Sequence, residues 1–235
     1  MSKTIVDEYI KRFEGMIIAI SGLSCTCKSK IAKDLAKIFN ITHINLNKYY
    51  KQDYNNEIEL DDNGTKKKIK NVSVDEIIDW ENFNTDVSTA KLNGVMISGL
   101  LFPTELIKFT IDFHLHISVK KQSCLEKRID YQKKNNKTDY TDPFFTIYFN
   151  TIEYPYYEES IKRSMINKFI NLGKMSRKDL MDKSFDLFID FIYLKIYGKK
   201  REILTEQSHT SNENIKSNEG GKPKKKYNKR NIKKN

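Results

Sequence analysis

Three residues in one short stretch have the types and the spacing to bind phosphate. Gly22, Lys28 and Ser29 follow the pattern G-x-x-x-x-x-K-S, which is close to G-x-x-x-x-G-K-[ST]. In that pattern backbone N–H groups surround phosphate oxygens, the lysine contacts the terminal phosphates and the hydroxyl binds Mg²⁺. Cys27 stands where the second glycine is expected. Because a Cβ hinders close approach of the backbone to a phosphate, we expect the cysteine to weaken or reshape the site.

The segments on both sides of these residues have the order that a phosphate site needs. Five of the six residues 16–21 are apolar, which predicts a strand buried on both faces. After the loop, apolar residues recur at helical spacing, so a helix directs its N-terminus at the bound anion. The predicted nucleotide-binding residues are Gly22, Leu23, Ser24, Cys25, Thr26, Cys27, Lys28 and Ser29. The alternative is an ordinary strand-to-helix turn in which Lys28 is merely exposed.

Length and composition favour one domain of an intracellular protein. The 235 residues suffice for a substantial core, and the three cysteines show neither a disulfide framework nor a zinc-binding spacing. Asp7, Glu8 and Glu14 lie where a signal peptide would be apolar, and no apolar run is long enough to span a membrane. We therefore expect a soluble, cytoplasmic protein with no membrane partner.

Positive charge is concentrated at the C-terminal end. The net charge is +11, and residues 199–235 contain twelve Lys or Arg and four Glu, so this segment carries +8 and residues 1–198 carry +3. Such a composition predicts one domain over residues 1–198 and a disordered basic tail over residues 199–235. Nuclear localisation, weak nucleic-acid binding and plain solubility remain open as roles for the tail.

Elsewhere, apolar runs alternate with segments of helical period, which predicts a parallel sheet between helices. Further strands are predicted at residues 42–46, 94–98, 113–118 and 169–172, and a helix is predicted at residues 121–134. Ser176 and Asp179 indicate the start of another helix. Residues 51–71 are polar, with a turn at residues 61–64, and predict a mobile excursion. We interpret His114 and His116, which alternate on one strand face, as hydrogen-bonded core histidines rather than metal ligands.

Other segments carry recognisable patterns in a fixed order. They are the loop at residues 22–29, N-K-Y-Y-K at 47–51, D-W-E-N at 79–82, I-S-G-L-L-F at 97–102, C-L-E-K-R at 124–128, and D-P with the Tyr-rich residues at 142–157. Together they resemble the uridine kinase and nicotinamide riboside kinase family of P-loop kinases. The resemblance covers about residues 15–196. It implies a three-layer α/β P-loop NTPase fold with a parallel sheet and a helical lid, ATP and Mg²⁺ as cofactors, and phosphorylation of a nucleoside 5′-hydroxyl.

The resemblance also implies roles for single residues. Lys28 matches the phosphate-binding lysine, and Ser29 matches the hydroxyl that binds magnesium. Arg128 matches a lid arginine that stabilises the charge of the transferred phosphoryl group. Trp80 and Glu81 match residues that contact the base and the ribose of the substrate, although Trp80 is equally compatible with an ordinary buried tryptophan.

Four positions depart from the family pattern. Asn47 replaces the catalytic aspartate, and since an amide is not a general base at neutral pH, such a loss costs about 10²- to 10⁴-fold in rate. Ser98 replaces an acidic residue near the metal and would reach Mg²⁺ through water. Cys27 replaces a loop glycine, and Tyr131 stands where a second lid arginine is expected.

Three functions therefore remain open. The first is an ATP-dependent nucleoside-type kinase, slow or inactive because of these substitutions, in which Asp53 or Asp79 would supply a displaced carboxylate. The second is a catalytically dead P-loop pseudo-kinase that senses a ligand or binds a protein. The third is a nucleic-acid-binding protein that acts through its basic tail.

Overall fold

The computed structural model describes residues 2–136, 143–199 and 201. The helices are α1 (Ser2–Phe13), α2 (Lys28–Phe39), α3 (Trp80–Ala90), α4 (Lys121–Asn136), α5 (Pro143–Tyr148), α6 (Tyr154–Lys162) and α7 (Arg177–Tyr197). The strands are β1 (Ile17–Gly22), β2 (Thr42–Asn45), β3 (Glu57–Asp62), β4 (Thr65–Lys70), β5 (Val95–Gly99), β6 (Phe113–Ser118) and β7 (Lys168–Asn171). A five-residue π-helical turn, Phe149–Glu153, joins α5 to α6.

Five of the strands form a parallel sheet in the order β2-β5-β1-β6-β7. The central strand, β1, is buried along its whole length, which agrees with its apolar sequence. Parallel strands place their carboxyl ends at one edge of the sheet, so the segments that follow β1, β2 and β5 meet there. The loop at residues 22–29 follows β1 and therefore lies at the centre of this edge.

Helices cover both faces of the sheet. Alternate residues of β1 point to opposite sides, so Ile18 and Ile20 pack in a core with α1, α2 and α7. Ile17 and Ala19 pack in a second core that contains Phe83 of α3. The predicted α/β class is thus confirmed, because the domain is a three-layer structure with a parallel sheet between helices.

Residues 51–71 contain the antiparallel β3–β4 hairpin, whose two strands the sequence analysis did not predict, around the turn that it placed at residues 61–64. Its turn uses Asn63 and Gly64, both with positive φ (51° and 86°), as two-residue hairpin turns prefer. Leu60 packs with Phe144 and Tyr148, so the hairpin is attached to α5. Opposite charges alternate across the strands, for example Glu59 opposite Lys68, which hid the apolar pattern in the sequence.

The helix predicted from Ser176 and Asp179 is present as α7. The Ser176 hydroxyl accepts a hydrogen bond from Asp179 N, and the Asp179 carboxylate accepts one from Ser176 N. The basic tail at 199–235 lies almost wholly outside the described residues, as does Asp142, so the boundary at residue 198 stays a prediction. Within the described part of the chain, no helix is long and apolar enough to cross a membrane.

Candidate functional site

The loop after β1 begins at Gly22, where the side chain of any other residue would force neighbouring atoms to move. Gly22 N donates to Leu100 O at 3.0 Å, which ties the loop to the segment that follows β5. A Cβ on Gly22 would lie 2.5 Å from Ile117 O and 3.0 Å from Thr26 Oγ1. The start of the loop is therefore held tightly between its neighbours in the sheet.

Two cysteines of the loop adopt a backbone conformation that favours glycine. Cys25 has φ 66° and Cys27 has φ 62°, both in the left-handed region. Cys27 begins α2, since its carbonyl accepts a hydrogen bond from Ile31 N at 3.0 Å. The side chain of Cys27 is exposed, at the place where the motif has its second glycine. The backbone thus keeps the form that a glycine would take, at a cost of about 1–2 kcal/mol per non-glycine residue.

Lys28 lies inside the loop rather than on its surface. Only 9% of the residue is exposed, and its Nζ donates to Leu23 O at 3.3 Å. The pKa of Lys28 is lowered to about 8, mainly by burial and slightly by Arg128, while Cys25 and Glu153 act in the opposite direction. The ammonium group is therefore still mostly charged at pH 7, and it is poorly solvated. A bound anion would replace the contacts that water does not supply.

Beneath the loop, a chain of buried hydrogen bonds joins β1 to β6 and α6. His114 Nδ1 lies 2.8 Å from Met165 O, which only accepts, so Nδ1 donates and Nε2 of the neutral ring accepts from Ser21 Oγ at 2.6 Å. The Ser21 hydroxyl has then used its proton, so His116 Nδ1 donates to it at 2.8 Å. His116 Nε2 in turn accepts from the Tyr157 hydroxyl at 2.7 Å.

Both histidines in this chain are neutral. Burial lowers the pKa of His114 to about 4 and that of His116 to about 3, and the positive charge of Lys28 contributes at His116. The two rings are hydrogen-bonded core histidines, as the sequence predicted. In the described residues, no group of three or more His, Cys, Asp or Glu side chains is arranged to hold a metal ion.

The carboxyl ends of β2 and β5 carry no acidic side chain at the two positions singled out in the sequence. Asn47 is exposed in the short 3-10 turn Leu46–Tyr49 that follows β2. Ser98 is fully buried in β5, and its Oγ lies 3.0 Å from His43 Nε2. This edge of the sheet therefore offers neutral hydrogen-bonding groups beside the loop.

A small, mainly apolar cleft lies next to this edge, on the side of α6. Its lining residues are Leu46, Tyr50, Val72, Val74, Ile77, Ile78, Trp80, Leu100, Leu101, Pro103, Tyr156 and Ser160. Trp80, predicted to contact a base, is part of this lining, and its Nε1 donates to Asp75 O at 2.9 Å. Glu81, predicted to contact a ribose, is exposed on the first turn of α3 and is not among the lining residues.

Two residues considered as displaced carboxylates have other positions. Asp79 caps α3, and its carboxylate accepts from Asn82 N at 3.1 Å and from Asn82 Nδ2 at 2.6 Å. These hydrogen bonds lower the pKa of the exposed Asp79 carboxyl. Asp53 is exposed between the 3-10 turn and the hairpin. The structure connects neither of them to the loop.

Arg128, the predicted lid arginine, does approach the loop, and it brings a partner that sequence reasoning missed. Its Nη1 forms an ion pair with Glu153 Oε2, and the side chains are only 17% and 12% exposed. The guanidinium also lies over the rings of Phe145 and Phe149, at 4.9 and 5.5 Å from their centroids. Nearby, Cys124 Sγ donates to Ser24 O at 3.4 Å and links α4 to the loop.

The residues present fit the phosphates of ATP better than they fit its metal. The close packing at Gly22 and the buried ammonium of Lys28 would form one side of an anion site at the start of α2. Ser29 is half-buried in the first helical turn, where its hydroxyl would hold Mg²⁺ together with phosphate oxygens. Ser98, the second predicted metal contact, already has His43 as its hydrogen-bond partner.

No protein-family model and no curated protein sequence matches this chain. Among solved structures, an uncharacterized protein from Eubacterium ventriosum is similar at 15% sequence identity and a TM-score of 0.42, over 76% of this chain and 98% of that one. A gluconokinase from Sinorhizobium meliloti is similar at 8% identity and a TM-score of 0.45, over 78% and 98%. These similarities concern the fold and identify no family for this chain.

Proposed function

We propose that this protein binds ATP at residues 22–29 and transfers its terminal phosphoryl group to a hydroxyl of a small molecule held in the apolar cleft. The observation that carries this proposal is the burial of Lys28 inside a glycine-started loop at the beginning of α2. An ammonium group kept away from water gains more from a phosphate than an exposed one would. Mg²⁺ would accompany the nucleotide, held by Ser29.

The acceptor proposed is a nucleoside-type molecule with a free 5′-hydroxyl. Support comes from the segment order described above and from Trp80 and Tyr50, which give the cleft aromatic walls. Flat apolar groups bind favourably against such walls. Glu81 would contact a ribose only if the acceptor extended beyond the cleft toward the start of α3.

A pseudo-kinase is the second candidate, favoured by the side chains at three positions. Cys27 presents a side chain where close phosphate approach is expected, and Asn47 and Ser98 supply no charge at the strand ends. Phosphoryl transfer depends on positioning and electrostatics, so these losses weaken catalysis more than they weaken nucleotide binding. Such a protein would bind ATP without turning it over.

Isothermal titration with ATP and Mg²⁺ tests the nucleotide site. Lys28→Ala should reduce affinity by at least about tenfold, because a charge-assisted contact contributes about 1.5–3 kcal/mol. The matched control is Lys30→Ala, which removes an exposed ammonium from the same helix and should change affinity by less than about twofold. Equal affinities of wild type and Lys28→Ala would contradict a phosphate site at this loop.

Formation of ADP in the presence of a panel of nucleosides and nicotinamide riboside separates the two candidates. A kinase should form ADP faster with at least one member of the panel than without an acceptor. ATP binding that is abolished by Lys28→Ala, with no acceptor-dependent ADP from any panel member, would favour the pseudo-kinase.

A further inference from the structure

A kinase that lacks carboxylates at Asn47 and Ser98 needs another group to take the proton of its acceptor hydroxyl. Asp79 is engaged as a helix cap, and Asp53 has no described contact with the loop. Such a group could be an acidic side chain that approaches the loop from the side of α4 and α6. Glu153 is such a group, and the ATP and acceptor sites proposed above give it no role.

Glu153 is a buried carboxylate in the irregular helical segment between α5 and α6. It ends the π-helical turn Phe149–Glu153, a kind of turn that occurs often at functional sites. Its residue is 9% exposed, and its charge is balanced by the ion pair with Arg128. A buried carboxylate without a partner would be costly, and the ion pair with Arg128 offsets that cost.

Residues close to Glu153 in the chain contact both the loop at residues 22–29 and the cleft. Phe149, from the same turn, packs in one cluster with Leu23 of the loop and with Leu101, which also lines the cleft. Along the continuing helix, Tyr156 and Ser160 lie three and seven residues after Glu153, a spacing that keeps residues near one side. Both of these residues line the cleft.

The charge of Glu153 acts on both sides of this junction. Burial lowers the pKa of Lys28, and the Glu153 carboxylate acts against that effect. Burial raises the pKa of Tyr50, a cleft residue, and Glu153 raises it further. A group that influences the phosphate-binding lysine and a cleft hydroxyl lies near the place where a phosphoryl group would pass to its acceptor.

We propose that Glu153 is the general base of this site and that Arg128 holds it in position. The proposal rests on the proposed phosphotransferase function. The acceptor O–H proton passes to the Glu153 carboxylate as the acceptor oxygen bonds to the γ-phosphorus. The bond between that phosphorus and the β,γ-bridging oxygen breaks, and ADP leaves with the electron pair.

Arg128 can bind ATP phosphates while it keeps its ion pair with Glu153. A guanidinium has five N–H donors, and the pair with Glu153 involves Nη1, so other donors remain for phosphate oxygens. Stacking on Phe145 and Phe149 limits how the group turns. Removing the negative charge of Glu153 should therefore strengthen the attraction between Arg128 and ATP while it removes the base.

The test compares Glu153→Gln and Glu153→Asp with wild type in ATP affinity and in ADP formation, with water and with the panel of acceptors. Glu153→Gln should bind ATP with unchanged or tighter affinity and form ADP about 10²- to 10⁴-fold more slowly. Glu153→Asp keeps a carboxylate and should retain an intermediate rate. The control Glu158→Gln removes an exposed carboxylate from the next helical turn and should leave both quantities unchanged.

Each other outcome overturns the proposal in a distinguishable way. An unchanged rate in Glu153→Gln shows that another group is the base. Weaker ATP binding in proportion to the lost rate shows that Glu153 only positions Arg128. If the wild type binds ATP but forms no ADP, the assignment of Glu153 as a base is wrong while the proposed nucleotide site stands. If the wild type does not bind ATP, the proposed function itself is wrong.

Discussion

The phosphate loop and the neighbouring strand ends lie at one edge of the sheet but are built differently. Around the loop, polar groups are buried and bonded to one another, as in the chain from Ser21 through His116 to Tyr157. At the strand ends, Asn47 is exposed, and Ser98 is paired with a half-buried histidine. The first region contains a buried cation, Lys28, and the second contributes no charge.

This difference separates what binding needs from what transfer needs. A phosphate can be held by backbone geometry and one buried cation, and both are present at the loop. Transfer also needs a group to take a proton, and the strand ends do not supply one. If the protein is a catalyst, we expect that group to be Glu153, which forms an ion pair with Arg128.

The largest expected effect concerns acid and the buried histidines under the loop. Their pKa values in the folded protein, about 4 and 3, lie below the ordinary value of 6.5, so the unfolded chain binds more protons below about pH 6.5. Stability should therefore fall as the pH falls, by about 2 kcal/mol per histidine between pH 7 and pH 5. Urea unfolding at pH 7, 6 and 5 measures this.

His43, whose pKa burial also lowers, acts in the same direction. Replacing both His114 and His116 with glutamine should make the pH dependence shallower. A wild-type free energy of unfolding that is constant from pH 7 to pH 5 would show that burial does not lower the pKa values of these histidines. The contrast between a buried loop region and exposed strand ends would then be wrong.

A smaller effect is expected at the start of the loop. Gly22→Ala places a Cβ 2.5 Å from the carbonyl oxygen of Ile117, so the backbone must shift and stability should fall by about 3 kcal/mol. Gly64→Ala is the matched control, since Gly64 also has a positive φ but has no atom within 4 Å of its added Cβ. Its cost should be about 1 kcal/mol. Equal losses in the two variants, measured by urea unfolding, would argue against tight packing at Gly22.

Cys27→Gly should raise stability by about 0.5–1 kcal/mol. The glycine adopts φ 62° without strain, and this gain exceeds the added flexibility of the unfolded chain. It should also tighten ATP binding, because it removes a side chain from the loop. Cys27→Ala keeps a Cβ at the same φ and should show neither gain. A stabilised Cys27→Ala would indicate that the thiol, rather than the backbone, is unfavourable.

Asn47→Ala should have the smallest effect, and it tests the strand ends rather than the loop. The side chain is exposed, so the free energy of unfolding should change by less than about 0.5 kcal/mol. ATP affinity and ADP formation should change by less than about twofold, since an amide takes no proton in the reaction. A large loss of ADP formation would show that the strand ends do act in catalysis.

Sequence reasoning succeeded where one local pattern determines the structure. The strand before Gly22 and the helix from Lys28 were predicted because a strand buried on both faces and a one-sided helix have distinct apolar periods. The β3–β4 hairpin was missed because charges cover both strands, although Asn63 and Gly64 carried the turn signal.

The sequence did not predict side-chain groups whose partners lie far away in the chain. Glu153 becomes notable only when Arg128, 25 residues earlier, is seen beside it. The chain from Ser21 to His116 likewise joins residues 95 positions apart. Asp79 looked like a spare carboxylate in the sequence, whereas the start of α3 uses it as a cap.

The central claim, that a buried lysine with a lowered pKa holds the nucleotide, is tested most directly by ATP affinity as a function of pH. Isothermal titrations with ATP and Mg²⁺ between pH 7 and pH 9.5 should show wild-type affinity falling above about pH 8, by up to about tenfold per pH unit, as Lys28 loses its proton. Lys28→Ala should bind weakly and without this dependence. A wild-type affinity that stays constant to pH 9.5, or the same decline in Lys28→Ala, would contradict the account.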